Sequence, residues 1–226
     1  PRASRYAITG RSYRASLANP ALLLAQDVRQ LAPSPMAMLK HRPTKAELLA
    51  AEGRLLPDVI EHDLKILFCG INPGLYSAAV GHHFARPGNR FWATLYAAGF
   101  TRRVLQPCES RKLLDRGLGL TDIVARATKK AEELAPDELV AGRRRLQRKV
   151  RKYAPRWVAI LGIGAFRVAF RRPDAEPGPQ PERISGARIW VLPNPSGLNA
   201  AHQPAALADA FRKLRRKASH VPTARR

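Results

Sequence analysis

Ten residues constrain this chain more than any others: Lys65-Ile66-Leu67-Phe68-Cys69-Gly70-Ile71-Asn72-Pro73-Gly74. A short apolar run that breaks into Gly, Asn, Pro and Gly reads as a buried strand ending in a tight loop. A strand over 65–71 is therefore expected. In open α/β sheets ligands sit at the carboxyl ends of strands, so the loop after it is a candidate site. Gly70 and Gly74 carry no side chain to hold a flat ligand off the backbone. Asn72 cannot titrate, but its carbonyl can orient a water while its amide donates. An ordinary strand-ending turn fits the same residues.

The rest of the chain alternates. Buried apolar runs at 157–162 and 188–192 predict two more strands. Thr44 with Glu47 three residues on predicts a capping box opening a helix to about residue 52. Asn89 is a candidate N-cap for a helix carrying Phe91, Trp92, Leu95 and Tyr96 and ending at Gly99; this aromatic stripe is core or, less simply, a stacking platform. Phe84 lies in the loop before it and belongs to neither apolar period. Pro136, Asp137 and Glu138 open a helix to about Tyr153. Short helices are also expected over 21–31 and over 204–217, the latter on Leu207, Ala210, Phe211 and Leu214. Gly117 and Gly119 read as a turn, and residues 171–187, with Pro173, Pro177, Pro179 and Pro181, as a surface loop. The glycines of 162–166 invite a dinucleotide reading, but the third glycine and the later acid are missing, which leaves a tight strand-to-helix turn. Strands alternating with helices predict a single α/β domain over 21–217, with a central, mainly parallel β-sheet flanked by helices on both faces. A basic arm at 1–20 and a basic tail at 218–226 flank it. The arm either finds phosphates or is a tail with no special role.

Charge narrows the partners. Forty Lys and Arg against seventeen Asp and Glu give a formal net charge of +23. That favours a polyanion, most simply nucleic acid, with an anionic membrane surface as the competitor on charge alone. Seven of the ten residues 143–152 are Arg or Lys, a solvated face or a DNA contact. No run approaches the ~18 apolar residues of a membrane span, and no signal segment opens the chain. A soluble, cytoplasmic monomer with no membrane partner is expected. Cys69 and Cys108 cannot form a disulfide framework. The adjacent His82 and His83 lack zinc spacing. No metal and no cofactor are expected.

Three segments recur in a recognisable order: Gly-Ile-Asn-Pro-Gly at 70–74, Phe-Ala-Arg-Pro-Gly-Asn-Arg-Phe-Trp at 84–92, and Leu-Pro-Asn-Pro-Ser-Gly-Leu-Asn at 192–199. Together they resemble the mismatch-specific uracil/thymine branch of the uracil-DNA glycosylase superfamily, from about residue 64 to about 214. The resemblance implies an enzyme that flips uracil out of double-stranded DNA carrying G·U mismatches. It would hydrolyse the N-glycosidic bond and leave an abasic site for base excision repair. It also implies roles. Asn72 positions the attacking water, the backbone of Gly70, Ile71 and Gly74 contacts the base, Phe84 stacks on it, and Ser77 lies near the pyrimidine C5 edge. Asn194, Ser196 and Gly197 hold the DNA backbone and face the widowed guanine, while Leu198 and Asn199 fill the gap. Two cysteines are too few for the iron–sulfur branches of the superfamily, which need about four thiolates.

Two positions stay open. Asp122, wedged among Leu120, Ile123 and Val124, is either a cap or turn acid or a catalytic carboxylate. A lysine stands there in the compared family segment. Leu198 is the one bulky apolar residue of its loop: an intercalating wedge, or an anchor that packs the loop down. The family often carries a basic residue after the wedge, where this chain has Ala200. A non-catalytic basic nucleic-acid binder would explain the charge but not the grouping of Asn72, Ser77 and Phe84 around one loop.

Overall fold

A computed structural model describes residues 42–197 and 203–219. The expected arm at 1–20, the helix over 21–31 and the pair Leu198 and Asn199 lie outside the described residues. Five strands form one sheet: β1 (Ile66–Gly70), β2 (Leu118–Asp122), β3 (Trp157–Leu161), β4 (Gly178–Ile184) and β5 (Ala187–Leu192). Their spatial order is β2-β1-β3-β5-β4, and only the β4–β5 pairing is antiparallel. The helices are α1 (Lys45–Leu49), α2 (Leu75–Val80), α3 (Phe91–Ala97), α4 (Pro136–Tyr153), α5 (Ile163–Phe170) and α6 (Pro204–Ser219). The mainly parallel sheet with helices on both faces is as the alternation predicts.

Strand alternation divides the core. Ile66, Phe68, Ala159, Leu161, Trp190 and Leu192 face α3 and α6. Leu67, Cys69, Val158, Ile160, Ile189 and Val191 face α4 and α5. Both faces of β1 are buried, which is why its sequence is a continuous apolar run rather than an alternating one. Phe68 centres the first face: Phe91 and Phe100 meet it edge-on at 5.6 and 5.5 Å, and Phe211 stacks on it at 5.9 Å. Truncating such a residue to Ala costs about 3–5 kcal/mol.

Local signals explain the elements. Thr44 Oγ1 accepts from the Glu47 N–H, and the Glu47 carboxylate accepts from the Thr44 N–H, the capping box in full. α3 starts one residue later than expected, with Arg90 as N-cap, but Asn89 Oδ1 accepts from the Phe91 N–H. Phe91, Trp92 and Leu95 are buried and Tyr96 is exposed, so most of the aromatic stripe is core. α6 runs two residues past its expected end.

Two expectations are corrected. The turn expected at Gly117–Gly119 is the start of β2. Gly117 is the left-handed cap of a 3₁₀ helix, Pro107–Arg116, while Gly119 lies inside the strand. It is glycine because the Leu64 side chain and the Val59 carbonyl fill the space of a Cβ. The surface loop expected over 171–187 contains β4. Pro179 and Pro181 lie in it because it is an edge strand, where a missing N–H donor is tolerated, and its register shifts between Pro179 and Arg183.

Candidate active site

Parallel strands put the loops after β1, β2, β3 and β5 on one edge of the sheet. β2 and β3 lie on opposite sides of β1, the kind of switch point where ligands bind. A cavity of about 430 Å³ opens there. Gly70, Ile71, Asn72, Gly74, Ser77, Phe84, Asp122, Asn194 and Ser196 all line it, together with His83, Thr128 and the cations Arg86, Lys129 and Lys130. A pyrimidine base fits a space of this size.

Gly70 forms the floor. It lies beside Asp122 in the β1–β2 register. Any Cβ at Gly70 would collide with Oδ1 of Asp122 and stand 3.4 Å from the Phe84 ring. The glycine is thus required by the carboxylate as well as by close approach of a ligand. Gly74 differs: nothing lies within 4 Å of a Cβ there, and its flank is open.

Asn72 is held by its nitrogen. Nδ2 donates to Oγ1 of Thr128 at 2.7 Å and to the carbonyls of Arg126 and Pro73 at 3.2 Å each. Carbonyls only accept, so these contacts fix which end of the amide is nitrogen. Oδ1 has no partner among the described residues and is left to accept from a water or a ligand. Thr128 is itself fixed, donating to the Lys130 carbonyl at 2.7 Å. The segment is tied down further by a bidentate pair between Arg126 and Glu138, which holds the Glu138 carboxyl down at about 2.

Phe84 adopts a left-handed backbone, φ +54, unusual for an aromatic residue. Surrounding contacts enforce it. One ring face stacks on Phe91 at 4.1 Å, Trp92 Nε1 donates to the His83 carbonyl at 3.3 Å, and the Ala85 N–H donates to Ser77 Oγ at 3.1 Å. Ser77, buried in α2, is thus both a wall of the cavity and the clasp that holds the Phe84 loop. The second loop is pinned likewise. Asn194 Oδ1 accepts from the Ser196 N–H at 3.0 Å, Arg90 donates to the Ser196 carbonyl at 3.1 Å, and the Arg90 N–H donates to the Pro195 carbonyl at 3.0 Å. Gly197 packs on Gly88, whose carbonyl oxygen leaves no room for a side chain.

Asp122 ends β2 and caps no helix; it is a buried carboxylate in the cavity. Oδ2 lies 3.3 Å from Nδ1 of the equally buried His83. Nε2 of that ring is 3.0 Å from the Pro57 carbonyl and must carry a proton to bond it. Facing a carboxylate, Nδ1 bonds best when it too is protonated, so this geometry favours the imidazolium. Burial pulls the His83 pKa down, but the hydrogen bond and charge of Asp122, then the Pro57 carbonyl and Asp58, raise it overall. Beneath the floor, burial first and the Asp122 charge second push the Cys69 thiol up, so it stays protonated.

A family model for the uracil DNA glycosylase superfamily matches residues 57–215. The chain belongs to that superfamily. Among solved structures it is similar to a solution structure of a candidate uracil DNA glycosylase from Methanosarcina acetivorans, at 21% identity over 72% of this chain and 98% of that one, with a TM-score of 0.48. Among the described residues of this superfamily member, no group of three or more His, Cys, Asp and Glu could hold a metal ion. His83, Thr128 and Arg90 are the site residues that sequence reasoning misses. The basic run of α4 lies on its carboxyl-terminal half, which runs back toward the edge opposite the cavity. Lys149 there is spent on an ion pair with Asp58, and Arg143 lies over the Phe170 ring.

Proposed function

We propose that the protein is a monofunctional DNA glycosylase that flips uracil from G·U-mismatched duplex DNA and hydrolyses its N-glycosidic bond. The observation that carries this reading is Asn72, an amide held by its nitrogen with its oxygen free, facing a base-sized cavity beside Phe84 and Gly70. A base must leave the stack to enter such a cavity. Phe84 offers one ring face for stacking while Phe91 supports the other. Asn72 Oδ1 accepts from a water and aims it at the anomeric carbon. As the glycosidic bond breaks, its electron pair leaves with the uracil, and the sugar takes on oxocarbenium character. Backbone N–H groups of the 70–74 loop stabilise the departing anion.

Asp122 adds what Asn72 cannot. Oδ2 is engaged by His83, and Oδ1 stands over Gly70 at the floor. In this mechanism Oδ1 stabilises the positive sugar and receives the proton of the attacking water. Asn194, Ser196 and Gly197 hold the DNA backbone, and Leu198 with Asn199 fills the gap. Arg86, Lys129 and Lys130 at the cavity supply phosphate contacts. Ser77, buried and clasped to Ala85, would crowd a thymine methyl, which favours uracil over thymine.

The test is single-turnover cleavage of duplexes with uracil opposite G and opposite A, by wild type and Asn72→Ala. The reading expects excision by wild type that is lost in the variant while DNA binding remains. A folded wild type that binds DNA and excises uracil from no duplex would make the protein a binding module. Comparable excision from G·T and G·U would overturn the Ser77 assignment.

A further inference from the structure

The opposite edge of the sheet also carries a basic concavity. Strands of five residues at about 3.3 Å each set the amino ends of β1, β2 and β3 roughly 17 Å from the cavity. At that far edge a separate concavity of about 380 Å³ is lined by Lys65 just before β1, Arg116 just before β2, and Arg215 of α6. Asp115 is the one acid in its lining, so three cations and one anion leave a net +2. Arg215 is held against the backbone of Gly99, and its buried Nε–H has no hydrogen-bond partner among the described residues. Lys65 and Arg116 are exposed and make no ion pair among the described residues. Arg156, exposed just before β3, donates its N–H to the Leu64 carbonyl and extends the same row of cations.

Lys65 and Arg116 stand exposed and, among the described residues, without a carboxylate partner beside the Arg215 guanidinium, and such a group of cations in one concavity is a place for anionic oxygens. We infer that this edge binds the phosphodiester backbone of a second nucleic-acid segment while the first occupies the cavity. The choice of polyanion rests on the glycosylase reading. One duplex cannot serve both edges: DNA stays stiff over about 150 base pairs, and the two edges face opposite ways. An anionic membrane fits less well. Interfacial binding needs an apolar flank, and none of the exposed large apolar residues, Leu49, Leu55, Tyr96, Val104 and Val168, lines this concavity.

The test compares the full chain with Lys65→Gln/Arg116→Gln, whose two sites are exposed, and with Arg215→Gln. One readout is bridging: capture of a labelled undamaged duplex by bead-bound undamaged duplex through the protein. The other is single-turnover excision from a short uracil hairpin at saturating enzyme. Bridging is expected to fall at least tenfold in the double variant, with the salt slope of duplex binding shallower by about two. Excision should change less than twofold. Unchanged bridging would overturn the inference, and so would equal loss of bridging and excision, which would assign these cations to the catalytic footprint. Loss of binding to phosphatidylserine vesicles with bridging intact would assign the edge to a membrane instead. Bridging uses undamaged DNA, so a wild type without excision would remove the glycosylase reading and leave this test standing.

Discussion

Nδ1 of His83 and Oδ2 of Asp122 lie 3.3 Å apart at the floor of the cavity, and the Pro57 carbonyl holds the other ring nitrogen in its protonated state. Two acceptors flank one imidazole, so the arrangement favours an imidazolium beside a carboxylate. Under the proposed function, this pair adds a titrating element to a reaction that the asparagine alone would leave indifferent to pH. Asp58, Cys69 and Lys149 surround the pair from below, and Arg86, Lys129, Lys130 and Glu132 at the cavity.

Stability should carry the mark of this pair. The folded His83 value is raised, so its contribution is complete below the ordinary imidazole value of about 6.5 and fades as pH rises through the folded value. Thermal melts from about pH 6 upward should show Tm falling across that window in wild type and flattening in Asp122→Asn. Asp122→Ala, which leaves the imidazole buried without its anion, should cost about 3–5 kcal/mol at the acid end. A wild-type Tm indifferent to pH across this window would show that the pair does not form.

Catalysis should depend on the same carboxylate. Asp122→Asn keeps the shape and can still bond a neutral His83, so folding should survive. Single-turnover excision should fall ~100- to 10,000-fold, and a loss below about fivefold in a folded variant would reject a direct role.

Thr128 should behave as an extension of Asn72. Thr128→Val removes the 2.7 Å acceptor without changing shape. Excision should drop by about tenfold or more through loss of alignment, with about 1 kcal/mol lost from stability. Adding Thr128→Val to Asn72→Ala should cost little further rate, because both act through one amide. Fully additive losses would show that Thr128 acts elsewhere.

Gly70→Ala should force the Asp122 carboxylate aside, costing about 1–3 kcal/mol and most of the excision rate. In an Asp122→Ala background the same substitution should be far milder in stability. A penalty of equal size in both backgrounds would place the strain elsewhere.

The legible part of the site was its contiguous part. The 70–74, 84–92 and 192–197 segments carry their glycines, prolines and asparagines in short runs, and parallel strand order alone brings them to one edge. What escaped were partners distant in sequence. Thr128 stands 56 residues from Asn72, and nothing local marks it. His83 reads as half of a histidine pair until the fold sets it against Asp122 and Pro57. Asp122 stood out, but whether it capped a helix depended on β2, which Gly117 and Gly119 disguised as a turn. β4 was hidden by prolines that only an edge position permits.

Those sheet edges bear on crowding. A basic protein drawn to DNA accumulates along it, where a bare strand could zip onto the next copy. Among the described residues, neither side of this sheet offers one. Val59 exchanges both backbone hydrogen bonds with Leu120 on the outer side of β2. Pro179 and Pro181 withhold two donors from β4, whose register already breaks between Pro179 and Arg183. Among the described residues, both outer strands of the sheet are therefore poor templates for pairing with a strand of a second copy.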